Sequence, residues 1–443
     1  MTQERLSGET LSSGEIKIYE LETMNPQDRE RIVRHSRADI GDAKAEVLPF
    51  INDVRTRGDE AVLDYLEKFD GVTLAPEDLV VSNEEIEEAY EKTDPRVVEA
   101  IKEQIWLSKK FHEEQLKRID KRWEVETTPG VILGQKKTPI EAVGLYVPGG
   151  TAPYPTVMQI LAVPAKVAGV ERIVGVTPPR GNNYEVIVAA KEAGVDELYR
   201  IGGVAAIAAL TYGTETIKPI DKIVGPGNKY VTAAKLLVFG DVAIDMTAGP
   251  SEVIILADRE ANPAFCAADI LSASEHDPNA AGVLVTWSRE VAEETRKEIA
   301  RQGMALERRD IINESLARYS AIILVRNEDQ AIDFANEYAP EHLEIMTNNA
   351  DSLVDRISNA GSIFLGQWGS KALGDYATGA NHVLPTAGGA RAFSPIGVET
   401  FMKSSEVQRV TKEGLQHLAS IMKPIVEVEG LGAHWNSVAQ RLK

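Results

Sequence analysis

Cysteine is almost missing from this 443-residue chain, with Cys266 the only one. A disulfide framework is therefore excluded, and a reducing, cytoplasmic setting is expected. Lying in Phe265-Cys266-Ala267-Ala268, that cysteine reads as core packing. Long apolar runs are missing too: none approaches the ~18 residues a membrane helix requires, and the amino terminus lacks the basic-then-apolar layout of a secretory signal. Basic charge is in short supply, 48 Lys and Arg against 68 Asp and Glu for a net charge of −20. Such a surface repels nucleic acid and anionic membranes. It favours a soluble enzyme with a small neutral or cationic substrate. The dinucleotide fingerprint Gly-x-Gly-x-x-Gly, with an acidic residue at the next strand, is also absent.

What is present falls into three textures. Met1 to Gly14 is a polar lead-in, and from Asn25 to about Arg118 the pattern is helical. Val47, Ile51 and Val54 recur at the spacing of one buried helix face. Strand-like pieces follow at Trp123 to Glu126 and Val131 to Leu133. From Val143 short apolar runs alternate with helix-length segments. Val143–Val147, 172–176, 197–201 and 222–224 form one series of buried parallel strands. A second begins at 252–256 and continues with 281–286, 321–325 and 362–365. The fold expected is α/β, with two Rossmann-like doubly wound lobes, a helical amino-terminal region and a helical carboxyl-terminal tail. The expected division takes 1–40 as lead-in and helix, 41–145 with 252–396 as a discontinuous first lobe, 146–251 as the second lobe, and 397–443 as the tail.

Ala339-Pro340-Glu341-His342-Leu343-Glu344 carries the most chemistry. Proline cannot extend the helical pattern Glu328 to Tyr338, so Glu341 and His342 should lie on the turn before the apolar run 343–346. A free imidazole titrates near pH 6.5, so His342 can exchange protons at neutral pH, with Glu341 as a second base. Taken alone, Glu-His is also a common loop dipeptide. Glycine turns follow predicted strands at Val147-Pro148-Gly149-Gly150, Gly202-Gly203 and Gly225-Pro226-Gly227-Asn228. Each reads as a phosphate-binding turn or as a tight structural one. Two imidazoles and a carboxylate, His276, His434 and Asp375, suit zinc and leave one position open, as a catalytic site does. Their spacing does not establish convergence, and each histidine by itself reads as a packed or surface residue.

The runs Val143 to Gly150, Gly225 to Asn228, Ala248-Gly249-Pro250-Ser251-Glu252, Ser274-Glu275-His276-Asp277, Ala339 to Glu344, Gly374-Asp375-Tyr376 and Asn381-His382-Val383-Leu384-Pro385-Thr386 together closely resemble the L-histidinol dehydrogenase family. They occur in order from about residue 30 to the carboxyl end. The resemblance implies a four-electron oxidation of an amino alcohol to an amino acid in histidine biosynthesis, with two hydrides passed to NAD and one zinc per subunit holding substrate. It implies that His342 is the base of the alcohol step and that Glu341 activates the water attacking the aldehyde. His276, Asp375 and His434 match zinc ligands. Ser251, Glu429 and His342 match substrate contacts, as do the ligands through the metal, and Tyr146 and Asn228 match NAD contacts. It further implies a homodimer whose tail carries Glu429 and His434 to the partner's site, with Asn381 and His382 shaping the pocket. Two departures stand out: Ala273 and Ala205 occupy positions where the family has glutamines that touch zinc and NAD. They keep open a relative acting on another amino alcohol or polar diol, and a non-catalytic binding protein.

Overall fold

The computed structural model describes residues 16–34, 41–149, 153–179, 183–246 and 249–443. Two parallel sheets organise it. The first is five-stranded, in the spatial order Glu197–Tyr199, Arg172–Val176, Ala142–Tyr146, Lys222–Val224, Ala243–Ile244. The second is six-stranded, in the order Ile18–Glu20, Ala321–Leu324, Ala281–Thr286, Glu252–Ala257, His342–Met346, Ser362–Leu365. Every pairing in both sheets is parallel. In each, the first strand of the series lies centrally, the next two step outward on one side and the following two on the other. Both sheets are therefore doubly wound, and each has one point where the strand order reverses.

Apolar side chains force this layering. Glu252–Ala257 and Ala281–Thr286 are buried along their whole length, as strands covered by helices on both faces must be. One face of the six-stranded sheet packs under Cys266, Ile270 and Leu271, the other under Phe334, Ala335 and Tyr338. Cys266 is thus a core residue, as its setting implied. Val47, Ile51 and Val54 are buried, and the helix Gly41–Arg57 that carries them packs against the helices Gly203–Tyr212 and Lys229–Val238.

Three features depart from expectation. The segment 397–443 is not helical throughout: Met402–Val410 is a nine-residue strand, antiparallel to Val131–Pro139, which also pairs with Arg122–Thr128. Its side chains are largely solvent-exposed on both faces, so the alternation that reveals a half-buried strand is missing. A three-residue edge strand, Ile18–Glu20, extends the six-stranded sheet alongside 321–324. The packing also redraws the lobes. Ala142–Tyr146 is the central strand of the five-stranded sheet, and residues 41–66 share its core rather than joining 252–396.

Candidate active site

At the reversal point of the six-stranded sheet, the strands 252–257 and 342–346 lie side by side, with His342 opposite Val253. The helix Glu328–Tyr338 stops because Ala339 takes a left-handed conformation, φ 56° and ψ 63°, and Pro340 cannot continue it. For a residue with a Cβ that conformation costs on the order of 1–2 kcal/mol. The turn it makes aims Glu341 and His342 inward. Glu341 Oε2 accepts the Glu252 N–H at 2.9 Å, and the Glu341 N–H donates to Glu252 Oε1 at 3.1 Å. These reciprocal bonds clamp the amino ends of the two central strands together. Chemistry-bearing side chains thus collect at strand amino ends, opposite to the usual location in open α/β sheets.

His342 Nδ1 lies 3.0 Å from the Glu252 carbonyl oxygen and 3.3 Å from Glu341 Oε2, and Nε2 lies 3.4 Å from Asp375 Oδ1. Burial disfavours the imidazolium, but Glu341 and Asp375 outweigh it and push His342 up to about 9. Burial likewise opposes ionisation of Glu341, yet His342, Lys371 and the Glu252 N–H hold its carboxyl below the usual range. Asp375, on the short helix Lys371–Tyr376, is held low despite burial by His342 and Lys371. The site is an alternating set of buried charges in which each carboxylate has a cation beside it.

These groups border a cavity of about 220 Å³. Pro148, Tyr154 and Pro226 wall it from the carboxyl ends of the five-stranded sheet; Ser251, His276, Glu341, His342 and Asp375 wall it from the amino ends of the six-stranded sheet. His382 lines it, pushed down to about 4 chiefly by burial. Asn381 ties the same loop down by donating to the Ile160 carbonyl at 2.7 Å and accepting the Val383 N–H at 2.9 Å.

A larger cavity of about 450 Å³ opens at the carboxyl ends of the five-stranded sheet, lined by Tyr146, Gly149, Gly203, Ala205 and Asn228. This is that sheet's reversal point, between 142–146 and 222–224. The Tyr146 hydroxyl accepts the Gly203 N–H at 3.1 Å, and Asn228 caps the helix Lys229–Val238 by accepting the Tyr230 and Val231 N–H groups. Gly225 must be glycine: its φ is +128°, and a Cβ would come within 2.2 Å of the Tyr146 carbonyl oxygen. Lys235 and Asp245, a buried ion pair, hold that turn, with Lys235 Nζ donating to the Gly225 carbonyl at 2.9 Å. The loops 146–149 and 225–228 contribute to both cavities.

Of the residues singled out in the sequence, Ser251, His276, Glu341, His342 and Asp375 come together at the small cavity, and Tyr146 and Asn228 at the large one. Glu429 and His434 do not join them within this chain. They lie exposed on the tail helices Lys412–Glu429 and Gly432–Arg441. The expected zinc set is therefore not assembled by one chain, and no group of three or more His, Cys, Asp or Glu among the described residues is arranged to hold a metal ion. Ala273, fully buried, offers no donor atom.

Sequence reasoning missed two participants. Glu252 sits at the head of an apolar strand pattern, where a carboxylate reads as an ordinary strand start. Lys371 carries no local mark of a site, yet its side chain is only 1% exposed and reaches Asp375 and His276. The signal available was a lysine four residues before Asp375, one helical turn away.

A family model described as histidinol dehydrogenase matches residues 33–442. The histidinol dehydrogenase of Methanothermobacter thermautotrophicus is 48% identical over 415 residues, 93% of this chain and 96% of that protein. That of Methanocaldococcus jannaschii is 45% identical, covering 96% of this chain and 99% of that protein. Among solved structures, histidinol dehydrogenase from Elizabethkingia anophelis superposes with a TM-score of 0.91 at 36% identity, over 97% of this chain and 99% of that one.

Proposed function

The chain belongs to the histidinol dehydrogenase family, an oxidoreductase family, and on that premise we propose that it oxidises L-histidinol through L-histidinaldehyde to L-histidine, passing two hydrides to NAD. Written out, R–CH₂OH, water and two NAD⁺ give R–COO⁻, two NADH and three protons. The observation that carries this reading is the pair of cavities joined by shared loops. One holds a buried acid/base pair, and the other sits where doubly wound sheets bind dinucleotides.

The large cavity suits NAD. Glycines at 149, 202 and 203 bring backbone to its wall, and the helices 203–212 and 229–238 begin beside it. A Cβ at Gly202 would run into Pro178. NAD supplies the hydride acceptor when bound. Ala205, buried in that wall, offers packing but no hydrogen bond.

In the alcohol step His342 takes the hydroxyl proton as the carbinol hydrogen departs as hydride. Its neutral form does this, so the carboxylates that make it a strong base also delay its availability to alkaline pH. In the aldehyde step Glu341, ionised and in contact with His342, orients and deprotonates the water that adds to the carbonyl. The hydrate then loses the second hydride. Ser251 offers a hydroxyl to the substrate at the cavity wall. The exposed tail helices are read as reaching a second copy in a homodimer, where Glu429 and His434 meet the partner's cavity. No helix among the described residues is long and apolar enough to cross a membrane.

The deciding experiment counts NADH formed per L-histidinol consumed. Two per substrate with histidine as product is the expected result. One per substrate with aldehyde accumulating would remove Glu341 from the second step, and none would remove histidinol as the substrate.

A further inference from the structure

The resemblance implies zinc held by His276 and Asp375 with help from a glutamine and a histidine, and the side chains present do not fit that ion. Lys371 begins the helix Lys371–Tyr376. Its side chain is almost wholly enclosed, and its ammonium stands 2.5 Å from Asp375 Oδ2 and 3.4 Å from His276 Nε2. The lone pairs of both expected metal ligands thus converge on a nitrogen that already carries a positive charge. The position that would supply a further neutral donor is Ala273, packed in the core beside Cys266 and Ile270. A neutral donor is missing, and a cation stands beside the two remaining ligands.

The lysine is also built in. Its backbone N–H donates to Glu344 Oε1 at 2.6 Å, and Ser370 caps the same helix by accepting the Leu373 N–H. With its stem enclosed, the ammonium has little room to swing away. A dication bound by Asp375 and His276 would lie against it, two like charges in a site shielded from water. An ammonium also differs chemically from a metal: it donates hydrogen bonds and accepts none, and it keeps one charge rather than two. Of its three hydrogens, one is directed at Asp375 and one at His276, which leaves one for a lone pair in the cavity.

We propose that the Lys371 ammonium takes the place of the metal, so that this chain works without zinc and holds its substrate through a hydrogen bond that Lys371 donates to a hydroxyl oxygen or neutral ring nitrogen. Stated for histidinol, the inference rests on the function proposed above; stated for the metal, it stands on the geometry alone. Lys371 is here a substrate-binding residue, and His342 and Glu341 keep their proton-transfer roles.

The test starts with the full-length protein, treated with chelator, dialysed, and analysed for metal by mass spectrometry and by calorimetric titration with zinc chloride. Expected is far less than one zinc per chain, no saturable zinc binding, and NADH formation from histidinol that chelator leaves unchanged. Replacing the ammonium and restoring the donor together, Lys371→Met with Ala273→Gln, should raise zinc affinity at least about tenfold. Lys371→Met alone should raise KM for substrate more than it lowers kcat, with partial recovery in Lys371→Arg. One zinc per wild-type chain surviving chelation, or activity that requires added zinc, overturns the proposal while leaving the histidinol reading intact. A zinc-free protein inactive on histidinol sustains the displaced metal and overturns the substrate. If the double variant gains no zinc, Lys371 is not what stands in its way.

Discussion

Replacing Glu341 with glutamine isolates the effect of one buried charge on the proposed base. At the 3.3 Å separation from His342 Nδ1, a full charge contributes about 5 kcal/mol at an effective dielectric constant of ~20, or ~3–4 pH units. Burial works against the imidazolium, which is nonetheless pushed up to about 9, so removing the larger favourable partner should return it toward its ordinary value. Asp375 stays 3.4 Å from Nε2, so a drop of about 2 units is expected rather than the full amount. Glutamine keeps the shape and can still accept the Glu252 N–H that Glu341 accepts at 2.9 Å. The assay is the first NADH formed from histidinol in a single turnover, followed between about pH 5 and about pH 10. In the parent the rate rises with an apparent pKa near 9; in Glu341→Gln the rise should move to about 7 while aldehyde oxidation collapses. An ascending limb that stays near 9 would show that Glu341 does not set the basicity of His342, and the assignment of the acid/base pair would fail.

Other residues give independent checks. Tyr146→Phe removes the acceptor of the Gly203 N–H and should raise KM for NAD roughly tenfold, or ~1.4 kcal/mol, with kcat little changed; an equal fall in kcat would place Tyr146 in the chemistry instead. Lys235→Met strands the Asp245 carboxylate in the core, and urea denaturation should show a loss of about 3–5 kcal/mol; a loss below ~1 kcal/mol would mean water reaches the site. Burial raises Asp269 to about 6, against the opposing pull of the Glu344 hydrogen bond and the Lys371 charge. The folded state therefore holds a proton the unfolded chain releases near pH 4, and its contribution, full below that, is lost as pH rises through 6. Asp269→Asn should flatten the fall in melting temperature over that window, and an unchanged slope would refute the assignment. Ile421 and Ile425 stand exposed on a tail helix. Changing both to glutamate should convert a homodimer to monomers by light scattering, and a parent that is already monomeric would remove the partner's role at the site.

The sequence by itself determined the class of fold and the identity of most chemistry-bearing residues. Uninterrupted apolar strands such as 252–257 and 281–286 announce parallel sheets, because only strands covered on both faces lack polar alternation. Ala339-Pro340 fixes a turn that delivers Glu341 and His342 to a strand start, because proline cannot continue the helix. Local pattern also has limits. Met402–Val410, wetted on both faces, carries no period for a reader to find, and the packing of residues 41–66 on the five-stranded sheet is decided by surfaces far apart in the chain. Only the tertiary structure could place Lys371. Whether a lysine is a solvated helix start or a buried cation depends on what lies within a few ångströms of its ammonium, and Asp375, His276 and the walls around them are brought there by three separate segments. Charge at a site is a sum over neighbours in space, and for this chain that sum puts a lysine where the sequence had implied a metal.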